Sequence, residues 1–405
     1  MKIEVETVKG FQDFLPPESL KREAVKKAIE KTFGLYGFLP VETPVIEFDE
    51  LMKGDDMEED EAVSDRFRLK DRAGRNLGLR YEFTFQLARI MKQNPNIKLP
   101  FRRYQIGPVF RDEPIGKGRF RQFIQCDADI IGDSSIKADL DCLMMVSDIL
   151  EKLDIDSEII VNNRKLINAI IESIEIQNKS SVMKEIDKLD KIGEDLVKAN
   201  LKKYADTNQV VTLFKLLEKD LAFFQDNAFD GAKEVYELLR LCKKYGLSAS
   251  FKPTMIRGLG YYTGNIFEIK QGGKNTIAAG GRYDKSIGKY LGMEIPAVGI
   301  SFGLDRVSEC AKAAKTESTK AVLISINQDN ETTLLAKRLR QAGIPCIDTN
   351  EKVGKALEYA NSYSIPFAIF IGSDEIKKNK FKIKNMATGE EKLLAEKSMI
   401  KLLLA

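Results

Sequence analysis

FRRYQIGPVFRDEPIGKGRFRQFIQCDADIIG, residues 101–132, is the most informative stretch of the chain. Two strand-like runs flank a basic, glycine-containing loop. Arg111 ends the first run, Lys117 and Arg119 lie in the loop, and Arg121 opens the second. Such a strand–loop–strand unit can close guanidinium groups around a polyphosphate, because the arginine fork binds phosphate bidentately and stays charged. On the return run Gln125, Asp127 and Asp129 alternate, so they share one face. An exposed basic hairpin with a solvated charge pattern has the same spacing, and spacing alone leaves both readings open.

Upstream, LRYEFTF (79–85) reads as a strand that carries Glu82 and Thr84 on one face. There a carboxylate and a hydroxyl could take an ammonium group, or simply face solvent. RFRLKDRAGRNLGLR reads as two short strands around a turn at Asp71–Asn76, and the acid-rich residues 47–65 as a solvated loop. Between Glu18 and Tyr36, Val25, Ala28, Ile29, Thr32, Phe33 and Tyr36 recur at helical spacing. A Pro-punctuated extended run follows. Downstream, the spacing predicts a helix from about Lys137 to Leu153 with Leu140, Leu143, Met144 and Leu150 inward. Residues 165–245 are helix formers without proline, a helical insert, because strand-and-glycine texture resumes at Phe251.

RGLGYYTG (257–264) sets Arg257 beside a glycine-flanked tyrosine pair. On a strand, Tyr261 and Tyr262 would face opposite ways, so at most one could enter a given pocket; a hairpin turn is the alternative. In AGGRYDKSIGKYLG (279–292), Gly280 and Gly281 mark a close backbone approach. PAVGISFGLDRV (296–307) carries Arg306 just inside an incipient helix. Residues 308–320 are small and polar, a linker. Beyond them AVLISI, IPCID and PFAIFIG are apolar strands separated by helical stretches at 331–342 and 352–363, which predicts a compact α/β domain. KKNKFKIK (377–384) reads as a basic hairpin, either a nucleic-acid contact or a solubilising turn.

Composition sets limits on the chemistry. The 405 residues are 43% hydrophobic and 31% charged, which suits a soluble protein of two or three domains. No run approaches the ~20 apolar residues of a membrane span, and the first residues lack an apolar signal core, so a cytoplasmic protein is expected. Cys126, Cys142, Cys242, Cys310 and Cys346 stand far apart without a C-x-x-C pair, against a zinc ribbon or a disulfide framework. There is no histidine, which removes every mechanism that needs an imidazole base or ligand. The net charge of +3 is a near balance, so any nucleic acid must be held by local patches.

Taken together, these motifs resemble the class II aminoacyl-tRNA synthetases, and among them the histidyl-tRNA synthetase family. Residues 101–132 resemble motif 2, PAVGISFGLDRV motif 3, and the segment around Gly34–Glu47 motif 1, which forms the dimer interface. RGLGYYTG is similar to the signature of the histidine enzymes, and the C-terminal region resembles their anticodon-binding domain. The resemblance implies an α+β fold: a catalytic core on an antiparallel sheet with flanking helices (1–164 and 246–310), a helical insertion (165–245) and an α/β anticodon-binding domain (319–405). It implies activation of L-histidine by ATP with Mg²⁺, no dedicated protein metal ligands, transfer to tRNA(His), and a homodimer.

Position by position, the resemblance assigns Glu82, Thr84 and Gln125 to the histidine ammonium, and Asp129 and Tyr262 to the imidazole. Tyr261 belongs to the same histidine site. Arg257 would bridge the substrate carboxylate and the α-phosphate, and with Arg111, on the α-phosphate, would form the catalytic pair. Arg119 and Arg306 would hold the γ-phosphate, and Glu113 and Phe123 the adenine. Three residues depart from the family pattern. Asp129 stands where many relatives have glutamate, Gly260 where an acidic residue is usual, and Tyr81 where proline is common. The alternative that this resemblance leaves is a synthetase-like, non-catalytic regulatory subunit of ATP phosphoribosyltransferase. That family typically lacks the C-terminal domain present here.

Overall fold

In the computed structural model, which describes residues 5–52, 65–116, 119–257, 260–273, 275–313 and 318–404, strands are numbered β1 to β16 along the chain. β5 (Phe101–Phe110) and β6 (Gln122–Ile131) form the antiparallel hairpin that the sequence predicts, with Arg103 opposite Asp129 and Gln105 opposite Asp127. They lie within an eight-stranded sheet completed by β1 (Leu39–Pro40), β7 (Glu158–Asn163), β8 (Ala249–Phe251), β9 (Asn265–Gln271), β10 (Asn275–Arg282) and β11 (Ala297–Gly303). The order is β1-β5-β6-β11-β10-β9-β7-β8, antiparallel except for the two edge pairs, β1 with β5 and β7 with β8.

Strand pleating divides this sheet into two chemically different faces. On β6, Cys126, Ala128 and Ile130 point into the main core, which also takes Val25, Ile29 and Phe33 from the helix Glu18–Leu35. The helix Ile136–Lys152 adds Leu140, Leu143 and Leu150, while Met144 is only partly buried. The opposite face of β6 carries Gln125, Asp127 and Asp129, as the alternation requires. β2 (Ile46–Phe48), β3 (Arg68–Lys70) and β4 (Asn76–Leu79) make a small separate sheet.

Helices run from Arg164 to Lys244. Most share a second core built on Leu166, Ile170, Leu213 and Phe224, which extends to Met255, Ile256 and Tyr262. The last helix, Ala232–Lys244, gives Ala232 to this second core and Val235, Leu238 and Cys242 to the main core. The chain divides into two compact units, Met1–Lys315 and Thr316–Ala405. The second unit is a five-stranded sheet of β12 (Ala321–Ser325), β13 (Cys346–Thr349), β14 (Phe367–Ile371), β15 (Lys380–Asn385) and β16 (Glu391–Ala395), in the order β13-β12-β14-β15-β16. The helices Asp329–Gln341 and Val353–Ser362 are close to their expected spans.

Three expectations need correction. LRYEFTF is not a strand: β4 ends at Leu79, the chain bends, and a helix starts at Thr84. The Arg80 guanidinium pins the bend through the carbonyls of Thr43 and Pro108, and Leu87, Ala88 and Met91 then bury a helical face beyond the window read as a strand. The segment 47–65 is not wholly a solvated loop. Asp49–Met52 is a helical turn whose buried Asp49 pairs with Arg66 at 2.5 Å, and residues 53–64 lie outside the described residues. KKNKFKIK is no hairpin in itself: 377–378 end a helix and 380–384 run along β15, whose partner is β16.

Candidate active site

On the polar face of the sheet an inner cavity of about 120 Å³ is lined by Glu82, Thr84, Arg111, Gln125, Asp127, Asp129, Arg257, Tyr261, Tyr262 and Tyr283. That is room for a ligand of on the order of ten non-hydrogen atoms, at about 10–15 Å³ of such space per water-sized group. Its mouth is shared with a larger cleft of about 1210 Å³, lined by Glu113, Arg119, Phe123, Thr276 and Arg306, with Arg111, Gln125 and Arg257 common to both. The far wall of the cleft carries both charges: Lys188, Lys191 and Lys252 pair there with Glu185, Asp187 and Asp190, beside Arg164.

Every residue assigned from the sequence is therefore brought to one continuous site, by elements the sequence separates widely. Glu82 sits on the bend before the helix Thr84–Gln93, where one carboxylate oxygen accepts the Phe85 N–H at 3.2 Å and the other the Tyr261 hydroxyl at 3.4 Å. Burial and the neighbouring Asp127 push its pKa up to about 7, against the pull of Thr84 and Arg111. Tyr261 and Tyr262 lie in a turn rather than on a strand, so both reach the cavity; the expectation that only one could do so is corrected. Gly258 and Leu259 fall outside the described residues, as do Lys117 and Gly118 of the loop between β5 and β6.

At the closed end, Asp129 Oδ2 lies 2.6 Å from Nη2 of the fully buried Arg103, and Asp129 Oδ1 accepts the Tyr283 hydroxyl. Burial pushes the Asp129 carboxyl up while Arg103 pulls it down. Gly299 sits opposite Asp129 on β11, and a Cβ there would stand 2.0 Å from Asp129 Oδ1. Gly280 plays a similar part on β10, where a Cβ would meet the Gly299 carbonyl at 2.1 Å. The close approach expected at Gly280 is thus between strands.

At the mouth, Arg257 gives Nη1 to Glu268 at 3.3 Å, while its buried Nε has no hydrogen-bond partner. Glu268 also accepts the Thr276 hydroxyl at 2.6 Å, and Arg306 donates to the Thr276 carbonyl at 3.0 Å. Arg111 lies over the Phe123 ring, 5.2 Å from its centroid, and Glu113 stands 3.8 Å from both Arg111 and Arg119. The arrangement concentrates carboxylates and hydroxyls in the inner cavity and guanidinium groups at its mouth and along the cleft. It suits a small cation-bearing molecule next to a polyanion.

Arg103, Tyr283, Ser301 and Gly299 were not singled out by the sequence, and Asp127 was noted only for its face. Their signal lies in strand register: Arg103 faces Asp129 across β5–β6, and Gly299 and Ser301 face Asp129 and Asp127 across β6–β11.

A family model described as histidyl-tRNA synthetase matches residues 10–307. The chain belongs to the histidyl-tRNA synthetase family. A second model, an anticodon binding domain, matches residues 320–405. Among curated relatives, histidine–tRNA ligase 1 of a Bacillus cereus strain is 38% identical, over 96% of this chain and 95% of that protein. A solved histidyl-tRNA synthetase from Nostoc is 28% identical with a TM-score of 0.86, covering 100% of this chain and 99% of that one. A Bacillus halodurans structure described as an ATP phosphoribosyltransferase regulatory subunit/histidyl-tRNA synthetase superposes with a TM-score of 0.77 over 91% of this chain and 99% of that one; at 20% identity this likeness is one of fold alone.

Proposed function

We propose that this protein activates L-histidine with ATP and transfers the histidyl group to the 3′ end of tRNA(His). The observation that carries the reading is the join between a small carboxylate- and tyrosine-lined cavity and an arginine-lined cleft, with Arg257 at the boundary. In this reading Glu82, Thr84 and Gln125 take the ammonium, and Asp129 and Tyr262 the ring, with Tyr261 closing the same pocket. The carboxylate then lies beside Arg257, whose unspent Nε supports a role in bridging it to the α-phosphate. Arg111 neutralises the α-phosphate, Arg119 and Arg306 the γ-phosphate, and Glu113 and Phe123 border the adenine. Mg²⁺ arrives on the polyphosphate as part of the substrate, without dedicated protein ligands.

The chemistry asks only for positioning and charge neutralisation. The histidine carboxylate attacks the α-phosphorus and pyrophosphate leaves in line, so no protein nucleophile or imidazole base is required. The tRNA terminal ribose hydroxyl then attacks the adenylate carbonyl, AMP departs, and a phosphate oxygen of the adenylate takes the hydroxyl proton. We assign the catalytic core to 1–164 and 246–310, the insertion to 165–245, and anticodon reading to 319–405. A class II homodimer in the cytoplasm completes the reading. Exposed Leu35, Leu39, Ile46 and Phe48 around the motif 1 segment support an interface there. No helix among the described residues is long and apolar enough to cross a membrane.

ATP–pyrophosphate exchange across the twenty amino acids tests the reading. Exchange is expected with histidine alone. Exchange with another amino acid moves the substrate assignment, and none with any amino acid favours the regulatory-subunit alternative.

A further inference from the structure

We propose that Asp127 is a further specificity-determining residue of this site, which orients the Gln125 amide and presents its own second oxygen to the ligand's α-ammonium group. The proposal rests on reading the inner cavity as the amino-acid site.

Three carboxylates line that cavity, and their surroundings differ. Asp129 is engaged by Arg103 and Tyr283 at the closed end. Glu82 accepts from the Phe85 N–H and the Tyr261 hydroxyl. Asp127, with only 5% of its surface exposed, accepts the Gln125 amide through Oδ2 at 2.9 Å, and its buried Oδ1 accepts no hydrogen bond of ordinary geometry. The Ser301 hydroxyl stands near enough to favour the charged form.

Two consequences follow from donor–acceptor chemistry. An ionised carboxylate only accepts, so its contact with Gln125 commits the amide Nε2 to Asp127 and leaves Oε1 as the end that can accept from a ligand. Without that contact the amide could turn its NH₂ inward, which would repel an ammonium. In addition, Asp127 faces Glu82 closely enough that its charge disfavours ionisation of Glu82. A position between two acidic groups, with an unspent oxygen and an oriented amide oxygen, fits a group with three N–H donors and a positive charge. A neutral amide or hydroxyl supplies too few donors and no charge. Burial and Asp129 push Asp127 up to about 6, against the pull of Arg103 and of the Ser301 and Gln125 donors.

The test measures binding to the full-length protein at pH 8 by calorimetry with two probes. Histidinol carries the ring and the ammonium; 3-(imidazol-4-yl)propionate carries the same ring and no ammonium. Asp127→Asn is expected to weaken histidinol by at least about tenfold, the scale of a lost charge-assisted hydrogen bond, and to leave imidazolylpropionate within about twofold. Equal weakening of both probes, or of neither, overturns the proposal while leaving the amino-acid site in place. Wild-type protein that binds neither probe overturns the site reading and this proposal together. Should Asp127→Asn not fold, Asp127→Ala, which also releases Gln125, is read against the same pair of probes with the same expected crossing.

Discussion

Residues in this site are placed by what they exclude as much as by what they bind. Gly299 leaves room for the Asp129 carboxylate, and a methyl group there would lie 2.0 Å from Oδ1. Gly299→Ala is therefore expected to displace Asp129 from Arg103 and Tyr283. Losing that anchored acceptor should raise the KM for histidine about tenfold or more, with the KM for ATP little changed; equal shifts in both would remove Asp129 from the side-chain site. Arg257 makes a different case. Its Nη1 is held by Glu268 and its Nε is unspent, so the cation is fixed before any substrate arrives. Arg257→Ala should lower pyrophosphate exchange by on the order of 10²–10³, as expected for a preorganised donor at developing charge. Exchange within a factor of about three of the parent would sink the assignment.

The elements around the site are tied by buried charge as well as by apolar packing. Arg282 at the end of β10 donates to Asp139 Oδ2 through Nε at 2.9 Å and Nη2 at 2.5 Å, and to the Asp133 carbonyl at 3.0 Å. It thereby clamps the first turn of the helix Ile136–Lys152 to the sheet, with Asn265 of β9 on the other Asp139 oxygen. Asp139 is fully buried, and burial raises its pKa to about 6 although Arg282 pulls it down. A carboxyl whose folded pKa lies above its unfolded value binds more protons folded than unfolded, so it takes stability away as pH rises from about 4 through 6. Without Arg282 the folded pKa climbs further and the penalty keeps growing above pH 6. Arg282→Ala is thus expected to cost on the order of 3 kcal/mol at pH 8 and clearly less at pH 5, where Asp139 is largely neutral. Urea unfolding at the two pH values reads the difference, and an equal deficit at both would show that the pair's charge is not what holds the helix.

At the scale of the whole molecule, the two compact units meet different parts of the proposed task. Removing 319–405 should spare histidine-dependent pyrophosphate exchange and reduce charging at limiting tRNA by on the order of 10²-fold, the range for losing one of two linked contacts. Undiminished charging by the shortened chain would refute the anticodon role. The chain also contains no histidine, so its own translation draws on no histidyl-tRNA. In an extract stripped of histidine, full-length protein is expected at an undiminished level while a histidine-containing control stalls. Equal stalling of the two would end the idea that supply of this protein is insulated from its proposed product.

What the sequence determined by itself is what depends on neighbours along the chain. The helical face from Val25 to Phe33, the alternation of Gln125, Asp127 and Asp129 with Cys126, Ala128 and Ile130, and the strand–helix rhythm after residue 320 all express periods of 3.6 or 2 that a short window contains. Tertiary structure decided what depends on residues remote in sequence. LRYEFTF bends because Arg80 finds the carbonyls of Thr43 and Pro108, and Tyr261 and Tyr262 both face the cavity because their turn packs against the helical core built on Leu166 and Phe224. Arg103 and Gly299 join the site only through the register that sets them opposite Asp129. Periodicity says which face a side chain takes on its own strand; only packing says which side chains share that face across the sheet.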